Sequence, residues 1–351
     1  MKKLPVFKKL FHRRPSLPSV RVLVTGSRGK SSMVRLLTAV LEDAGISPVG
    51  RITGVLPREL FRGGEKLILR AGPGSAGEMK WWLDSLPSGA GGVVLENSAV
   101  APELQLLAWR WLEPSCTVLT NVRPDHEDAW GRGEEAAARV LCSGIGGGAV
   151  VLPESAAACR LVSGLLAEKG CELLPCPDGT DFRKTHLSLA EGVCSFLGFE
   201  KSRVSAAAGR LPPDIADFQI FTGDGGMLAS AFSANDPEST LDLFTETGWS
   251  AEETTVLFNS RKDRTARLAS FKGLMSAFPW KKTAVTGSRP LFLPPGTVFI
   301  PMRGPADLKA FVASEGAVLG CGNVAGVPLE YLLDKREETG GRRWDLTAVP
   351  Y

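Results

Sequence analysis

The stretch "VRVLVTGSRGKSSMVRLLTAVLEDAG", residues 20–45, restricts the fold more than any other. A β-branched run ends in glycine. An amphipathic segment follows, with Met33, Leu36, Leu37, Val40 and Leu41 on one face and Gly45 to close it. A buried strand feeding a helix through a glycine-bearing loop is half of an α/β unit, and such a loop is also the setting in which a helix N-terminus takes a phosphate. The loop departs from the standard pattern G-x-x-x-x-G-K-[ST], which asks for glycine five residues before Gly29; that position is Val24. Thr25, Gly26, Ser27, Arg28, Gly29, Lys30, Ser31 and Ser32 are the candidate phosphate-binding residues. In this reading Lys30 reaches the β- and γ-phosphates and Ser31 ligates a divalent metal. A second copy, "VTGSRPL" at 285–291, has Pro290 where Gly-Lys would be needed and reads as a structural turn.

Strand and helix signals alternate beyond the loop. "GGVVLENS", "CTVLTNV" and "GGAVVLP" read as strands apolar on both faces. "PELQLLAWRWLEP", "EEAAARVLCSG" and "SAAACRLVSGLLAEKG" read as the helices between them, with a further helix at about 185–198. Strands apolar on both faces and separated by helices imply a parallel sheet covered on both sides. The texture changes at "GRLPPDIADF". Beyond it, "FQIFTGDGGMLASAFSANDPES" reads as a hairpin, with Asp236 capping a helix that begins at Pro237. "TTVLFNS", "KTAVTGS", "TVFIPM" and "AVLGCGN" then alternate with helices. The expected fold is α/β: an ATPase-type domain with a phosphate loop and a helix-covered parallel sheet, then a smaller Rossmann-like domain. The expected boundaries are a basic arm at 1–18, the first domain at 19–211 and the second at 212–351.

Charge and composition remove several function classes. Net charge is +3, yet the first 18 residues hold Lys2, Lys3, Lys8, Lys9, Arg13 and Arg14 and no acid, so the body is mildly acidic. That counts against nucleic-acid binding, which spreads positive charge over a face. No apolar run approaches the ~18–20 residues of a spanning helix. The N-terminus has no apolar core of a signal peptide. Leu4, Phe7, Leu10 and Phe11 fall at helical spacing among the lysines. This fits a short helix on an anionic membrane surface, or a solubilising tail. The seven cysteines form no C-x-x-C pair and read as reduced, mostly buried thiols of a cytoplasmic protein.

Two further strand tips carry chemistry. The strand "VVLENSAV" ends on Glu96, where a carboxylate beside a phosphate loop can ligate a metal. The strand "CTVLTNV" runs into "RPDHEDAWG", which places His126 between Asp125 and Glu127–Asp128. Ligands gather at the carboxyl ends of parallel strands. Ser31, Glu96 and His126 are therefore the candidate metal set.

These features together resemble the Mur ligase superfamily of ATP-dependent amide-forming ligases, whose shortened G-T-x-G-K-[ST] loop need not carry the first glycine. The resemblance extends to the glutamate after the second strand, to the T-N-x-x-x-D-H motif here written "TNVRPDH", and to "SANDPEST", where the family contacts the nucleotide. Within the superfamily the chain is most similar to the ligase subunit of poly-γ-glutamate synthase, the CapB/PgsB type. "TGSRGKSS", "RITGVLPRE", "ENSAVAPELQ", "TNVRPDHEDAWG", "AFSANDPEST", "LFNSRKDR" and "GCGNVAG" carry that similarity in order from about 20 to 330. Residues 129–143 lack the lysine that many Mur ligases carbamylate, and no UDP-substrate domain is expected before residue 20.

The resemblance implies ATP with Mg²⁺ (or Mn²⁺), and a carboxylate activated as an acyl phosphate and joined to glutamate or poly-γ-glutamate. Asn121, Asn235 and Asp236 join the nucleotide-binding set. Lys30, Glu96, His126, Arg261 and Arg264 are the catalytic candidates, the two arginines bringing charge from the second domain as the domains close. Arg51, Thr53 and Arg58 are candidates for substrate carboxylate contacts. Small membrane subunits are the implied partners, the implied location is the cytoplasm or the inner membrane face, and self-association into a homo-oligomer stays open. So do two other readings: another acid–amino-acid ligase of the folylpolyglutamate type, and a non-catalytic nucleotide-binding subunit of a membrane assembly. A kinase with a phosphate loop leaves "TNVRPDH" and "ANDPEST" unexplained.

Overall fold

A computed structural model describes residues 17–68, 74–215, 217–223, 225–234 and 236–338. These residues divide into two compact units, one ending at Pro212 and the other beginning at Pro213. The amphipathic pattern of the basic arm falls on residues 1–16 and lies outside the described residues.

In the first unit the strands are β1 (Val20–Thr25), β2 (Pro48–Ile52), β3 (Arg58–Phe61), β4 (Gly64–Leu67), β5 (Gly92–Glu96), β6 (Cys116–Leu119), β7 (Gly148–Pro153) and β8 (Cys171–Cys176). They form one sheet in the order β4-β3-β2-β5-β1-β6-β7-β8. The run from β2 to β8 is parallel, and β3 and β4 add an antiparallel edge. The helices are α1 (Lys30–Asp43), α2 (Gly77–Asp84), α3 (Gln105–Leu112), α4 (Glu127–Trp130), α5 (Gly133–Ser143), α6 (Glu154–Ala158), α7 (Arg160–Ala167), α8 (Phe182–Leu197) and α9 (Ser202–Arg210). The order β2-β5-β1-β6 sets four carboxyl-terminal tips side by side, and they carry Thr53, Glu96, the glycine loop and Thr120–His126.

The sequence pattern accounts for the packing. On α1, Met33, Val34, Leu37, Val40 and Leu41 are all but fully enclosed, packed with Val22, Val24, Val94 and Val118 of the sheet and Leu189 and Val193 of α8. Each such side chain contributes ~1.5–3 kcal/mol by leaving water. The carboxylate of Asp181 caps α8 by accepting from Lys184 N at 2.9 Å, and Gly198 ends that helix in the left-handed region. Arg203 and Arg210 of α9 bond the backbone and side chain of Asp43, at the negative end of α1.

The second unit holds β9 (Gln219–Gly223), β10 (Gly226–Ser230), α10 (Pro237–Thr247), β11 (Thr254–Ser260), α11 (Thr265–Ala277), β12 (Lys282–Gly287), β13 (Thr297–Phe299), α12 (Pro305–Glu315), β14 (Ala317–Cys321) and α13 (Val327–Glu338). Its sheet order is β13-β12-β11-β14-β10-β9, parallel except for β9, which pairs with β10 as a hairpin. Asp236 caps α10, accepting from Ser239 N at 2.8 Å with Pro237 as first helical residue. The second "VTGSR" copy ends β12, and no helix opens after it before residue 297. It is a turn, as its proline implies. All seven cysteines are free thiols, five of them buried.

Candidate functional site

Val24 is enclosed within β1, paired between Glu96 of β5 and Val118 of β6. The residue that seemed to replace a loop glycine is a buried strand residue, one position before the end of β1. The loop itself is Gly26–Gly29, and both of its glycines are required by geometry. Gly26 has φ 132°, and a Cβ there would lie 2.1 Å from Thr120 Oγ1. Gly29 has φ 76°, and a Cβ there would lie 2.3 Å from Nε2 of His186.

The "TNVR" segment after β6 is the mould for the loop. Asn121 accepts from Arg28 N at 3.1 Å through Oδ1 and donates to Arg28 O at 3.1 Å through Nδ2. Thr120 Oγ1 donates to Arg28 O at 2.6 Å. Ser27 Oγ donates to Arg123 O at 2.6 Å and accepts from Arg123 N at 3.0 Å. Asn121, named from the sequence as a nucleotide contact, thus spends its amide on holding the loop. Arg28 pairs with Asp125 at 3.0 Å. No side chain caps α1, so the first amides of the helix, from Lys30 through Ser32, face the loop with the dipole behind them.

Lys30 folds back onto this loop, donating to Gly26 O at 2.6 Å and Ser27 O at 3.3 Å. Burial lowers its pKa from the usual lysine value, while Glu96 and Asp125 pull the other way. Next to it, Ser31 Oγ donates to Glu96 Oε2 at 2.9 Å. Thr53 also donates to Glu96, from its amide at 3.0 Å and its hydroxyl at 3.1 Å. The buried Glu96 carboxylate is therefore aimed at Ser31 by the tip of β2. A hydroxyl and a carboxylate in contact are hard oxygen donors of the kind a small divalent cation takes together with phosphate oxygens and water.

The structure places the other named residues as follows. His126 has φ 45° at the start of α4, its ring 5.1 Å from that of Trp130 and its Nε2 3.8 Å from Asp125 Oδ2. Ser31 and Glu96 are in contact, but among the described residues no three His, Cys, Asp or Glu side chains gather into a metal cluster. Arg51 is fully enclosed, paired with Glu78 and 3.5 Å from Ser98 Oγ. Arg58 is almost as enclosed and pairs with Glu65 at 2.8 Å. Both are buried on β2 and β3 with glutamate partners, and Thr53 donates to Glu96. In the second unit Arg261 pairs with Asp263 through two bonds of 3.0 and 2.7 Å, and Arg264 is exposed at the start of α11. Asp236 is a helix cap. Asn235 lies outside the described residues.

One residue was not found from the sequence. His186, on the first turns of α8, lies buried against Gly29, and burial pushes its pKa down to about 4. Phe182, four residues earlier, meets its ring edge-on at 5.9 Å and is 51% exposed. A lone histidine within a helical pattern gives no sign of this. The i, i+4 spacing of Phe182 and His186 was the one available signal.

Solved structures of Mur ligases and folylpolyglutamate synthases share the fold of this chain. The AMPPNP and Mn complex of the bifunctional folylpolyglutamate synthase/dihydrofolate synthase from Yersinia pestis superposes with a TM-score of 0.61, covering 92% of this chain and 89% of that one at 16% identity. Within that class, residues 215–338 match the family model of the poly-gamma-glutamate synthase CapB C-terminal domain. PGA synthase CapB of Bacillus subtilis is 28% identical over 282 residues, covering 72% of this chain and 70% of the relative. The capsule biosynthesis protein CapB of Bacillus anthracis is 28% identical over 283 residues, 74% of this chain and 61% of the relative. The chain thus carries a CapB-type C-terminal domain over residues 215–338, is similar to CapB relatives along most of its length, and shares its fold with Mur ligases and folylpolyglutamate synthases.

Proposed function

We propose that this chain is the ATP-dependent ligase of poly-γ-glutamate synthesis, joining an activated carboxylate to the amine of glutamate. The observation that carries the reading is the uncapped N-terminus of α1, with Lys30 folded onto the loop carbonyls and Ser31 held against Glu96, in a chain whose residues 215–338 match the CapB C-terminal domain.

The chemistry asks for help with charge. A carboxylate oxygen attacks the γ-phosphorus of ATP, the bond to the β–γ bridging oxygen breaks, and ADP leaves. Both reactants are anions, so positive charge at the phosphates lowers the barrier. Lys30 and the first amides of α1 supply it, and Arg28 adds to it beside Asp125. Ser31 and Glu96 would hold the divalent cation, which when bound supplies further neutralisation of the phosphate oxygens. Thr53 keeps Glu96 aimed, and Thr120 and Asn121 keep the loop open. In the second half, the neutral amine attacks the acyl carbon, the carbon–oxygen bond to phosphate breaks, phosphate leaves and the amine loses a proton. His126, Arg261 and Arg264 are our candidates for contacts to the reacting anions. Glutamate or poly-γ-glutamate is the substrate, and small membrane subunits of a polymer synthase are the proposed partners. No helix among the described residues is long and apolar enough to cross a membrane, so the inner membrane face would be reached through such partners or the basic arm.

The test is phosphate release with ATP, Mg²⁺ and glutamate or poly-γ-glutamate, run beside a reduced folate. Release with glutamate and a hydroxamate trapped by hydroxylamine support the reading. Release only with folate moves the chain to the folylpolyglutamate class, and the absence of both products leaves the non-catalytic reading standing. Lys30→Ala is expected to lower phosphate release at least a hundredfold while the chain stays folded.

A further inference from the structure

His126 holds a backbone conformation that a residue with a side chain adopts only under constraint. Its φ is 45°, one of two positive values among the described non-glycine residues. Such outliers persist where surrounding groups fix them, and they gather at functional sites. Trp130, at the end of the same turn, supplies the constraint. The amides of Ala129 and Trp130 both donate to His126 O at 2.8 Å, which closes the turn. The indole stands against the imidazole, ring centres 5.1 Å apart and planes at 55°. Its Nε1 donates to Val100 O at 2.7 Å, and Trp130 packs on the core cluster that holds Leu119 and Ala138. A large ring packed on the core and tied at its polar end is a rigid support for the ring beside it.

Val100 belongs to a loop that is itself braced. Asn97, next to Glu96, donates through Nδ2 to Gln105 O at 3.0 Å and to Gln105 Oε1 at 3.2 Å. Asn97 Oδ1 accepts from Ala99 N at 3.2 Å, and Gln105 Nε2 donates to Ala99 O. Asn97 and Gln105 are both buried. The bond from Trp130 to Val100 therefore joins the strand tip that carries Glu96 to the strand tip that carries His126.

We propose that Trp130 is a positioning residue for acyl phosphate formation, in which the carboxylate oxygen attacks the γ-phosphorus and ADP leaves. It holds the His126 imidazole at a fixed place relative to Glu96, so the ring is already set when the phosphoryl group transfers. The proposal rests on the ligase reading and on His126 as a contact to the reacting anions. Trp130 itself touches neither nucleotide nor acid in this scheme. Its loss should slow the step and leave nucleotide affinity alone.

The test uses the full chain with ATP, Mg²⁺ and poly-γ-glutamate, follows acyl phosphate as its hydroxamate, and measures ADP affinity by calorimetry. Trp130→Leu is expected to slow hydroxamate formation about ten- to a hundredfold, because a misplaced group costs rate. ADP affinity is expected to change less than about twofold. Trp130→Phe keeps a ring and loses the N–H, and is expected to recover part of the rate. In a His126→Ala background, Trp130→Leu is expected to slow the step no further, because the ring it positions is gone. Should urea unfolding show that Trp130→Leu does not fold, the same cycle is run with Trp130→Phe. An unchanged rate in the Trp130 variant overturns the proposal. So does an equal slowing with and without the imidazole, or an ADP affinity that falls with the rate, since either describes a general structural role. A His126→Ala protein at the wild-type rate removes His126 from the step and overturns the proposal with it, while the ligase reading stands. Wild-type protein that forms no hydroxamate overturns the ligase reading itself.

Discussion

Gly29→Ala is the substitution whose cost follows most directly from the geometry. Gly29 caps α1 at φ 76°, a region where a residue with a Cβ is strained by about 1–2 kcal/mol. The new methyl would also lie 2.3 Å from Nε2 and 2.4 Å from Cε1 of His186, well inside contact distance. His186 is buried on a helix packed against α1, so it cannot swing away freely. Overfilling such a site costs about 1–3 kcal/mol. The two contributions give a loss of about 2–5 kcal/mol, from one methyl group at the mouth of the site. The steric part depends on the imidazole and the backbone part does not. In a His186→Ala background the same substitution should therefore cost only about 1–2 kcal/mol, a coupling of about 1–3 kcal/mol. The cost of His186→Ala itself cancels in the cycle. Urea unfolding of the four proteins, followed by circular dichroism, measures this. A Gly29→Ala loss below about 1 kcal/mol, or one equal with and without the imidazole, would refute the contact.

Three further outcomes separate scaffold from site. Arg51→Met leaves the Glu78 carboxylate in a largely enclosed place without its ion pair and should cost about 3–5 kcal/mol in urea unfolding. Adding Glu78→Gln should recover much of that, whereas a stable Arg51→Met protein with only a raised KM for the acid substrate would return Arg51 to the substrate. His186 titrates at about 4 when folded against 6.5 for an ordinary histidine, so the unfolded chain takes up its proton first and folding is penalised as pH falls below 6.5. Between pH 7 and pH 5 the wild type should lose about 2 kcal/mol that His186→Asn keeps, and identical losses would show that the ring is open to solvent. Thr53→Val removes one of the hydrogen bonds on Glu96, about 1 kcal/mol net. The Mg²⁺ concentration for half-maximal phosphate release should rise about fivefold, and an unchanged requirement detaches Glu96 from the metal.

How much of this the sequence disclosed depends on how local each cause is. The strand, loop and helix at 20–43 are decided by neighbours within a few positions, and they are where the pattern puts them. Glu96 and the "TNVR" segment were legible because parallel strands deliver their tips to one edge. The roles of Arg51 and Arg58 were not, because an arginine near a candidate site looks the same whether it faces substrate or a buried glutamate. Glu78 and Glu65 are assigned as partners only by the fold. The strand β2, "PVGRI", escaped notice for a related reason. It is short, and its proline, glycine and arginine all disfavour a strand, yet it is wholly buried between β3 and β5, where neighbours override propensity. The strand β8, "CELLPC", keeps a proline because it is an edge.

The same distinction settles what the absent glycine at position 24 means. Sequence comparison with the standard loop treats Val24 as a loop residue that lost its glycine. The register shows a strand residue that was never in the loop, since Val24 pairs on both sides inside the sheet. The turn needs positive φ only at Gly26 and Gly29, and each glycine is fixed by a side chain from another element: Thr120 above one, His186 against the other. A loop shortened by this much has fewer amides of its own to offer an anion. Two of them, on Ser27 and Arg28, are already bonded to Asn121. In the proposed ligase, phosphate binding then leans on the α1 terminus, Lys30 and the Ser31–Glu96 pair. Glu96→Ala is therefore expected to weaken nucleotide binding by this chain, measured by calorimetry with ADP and Mg²⁺.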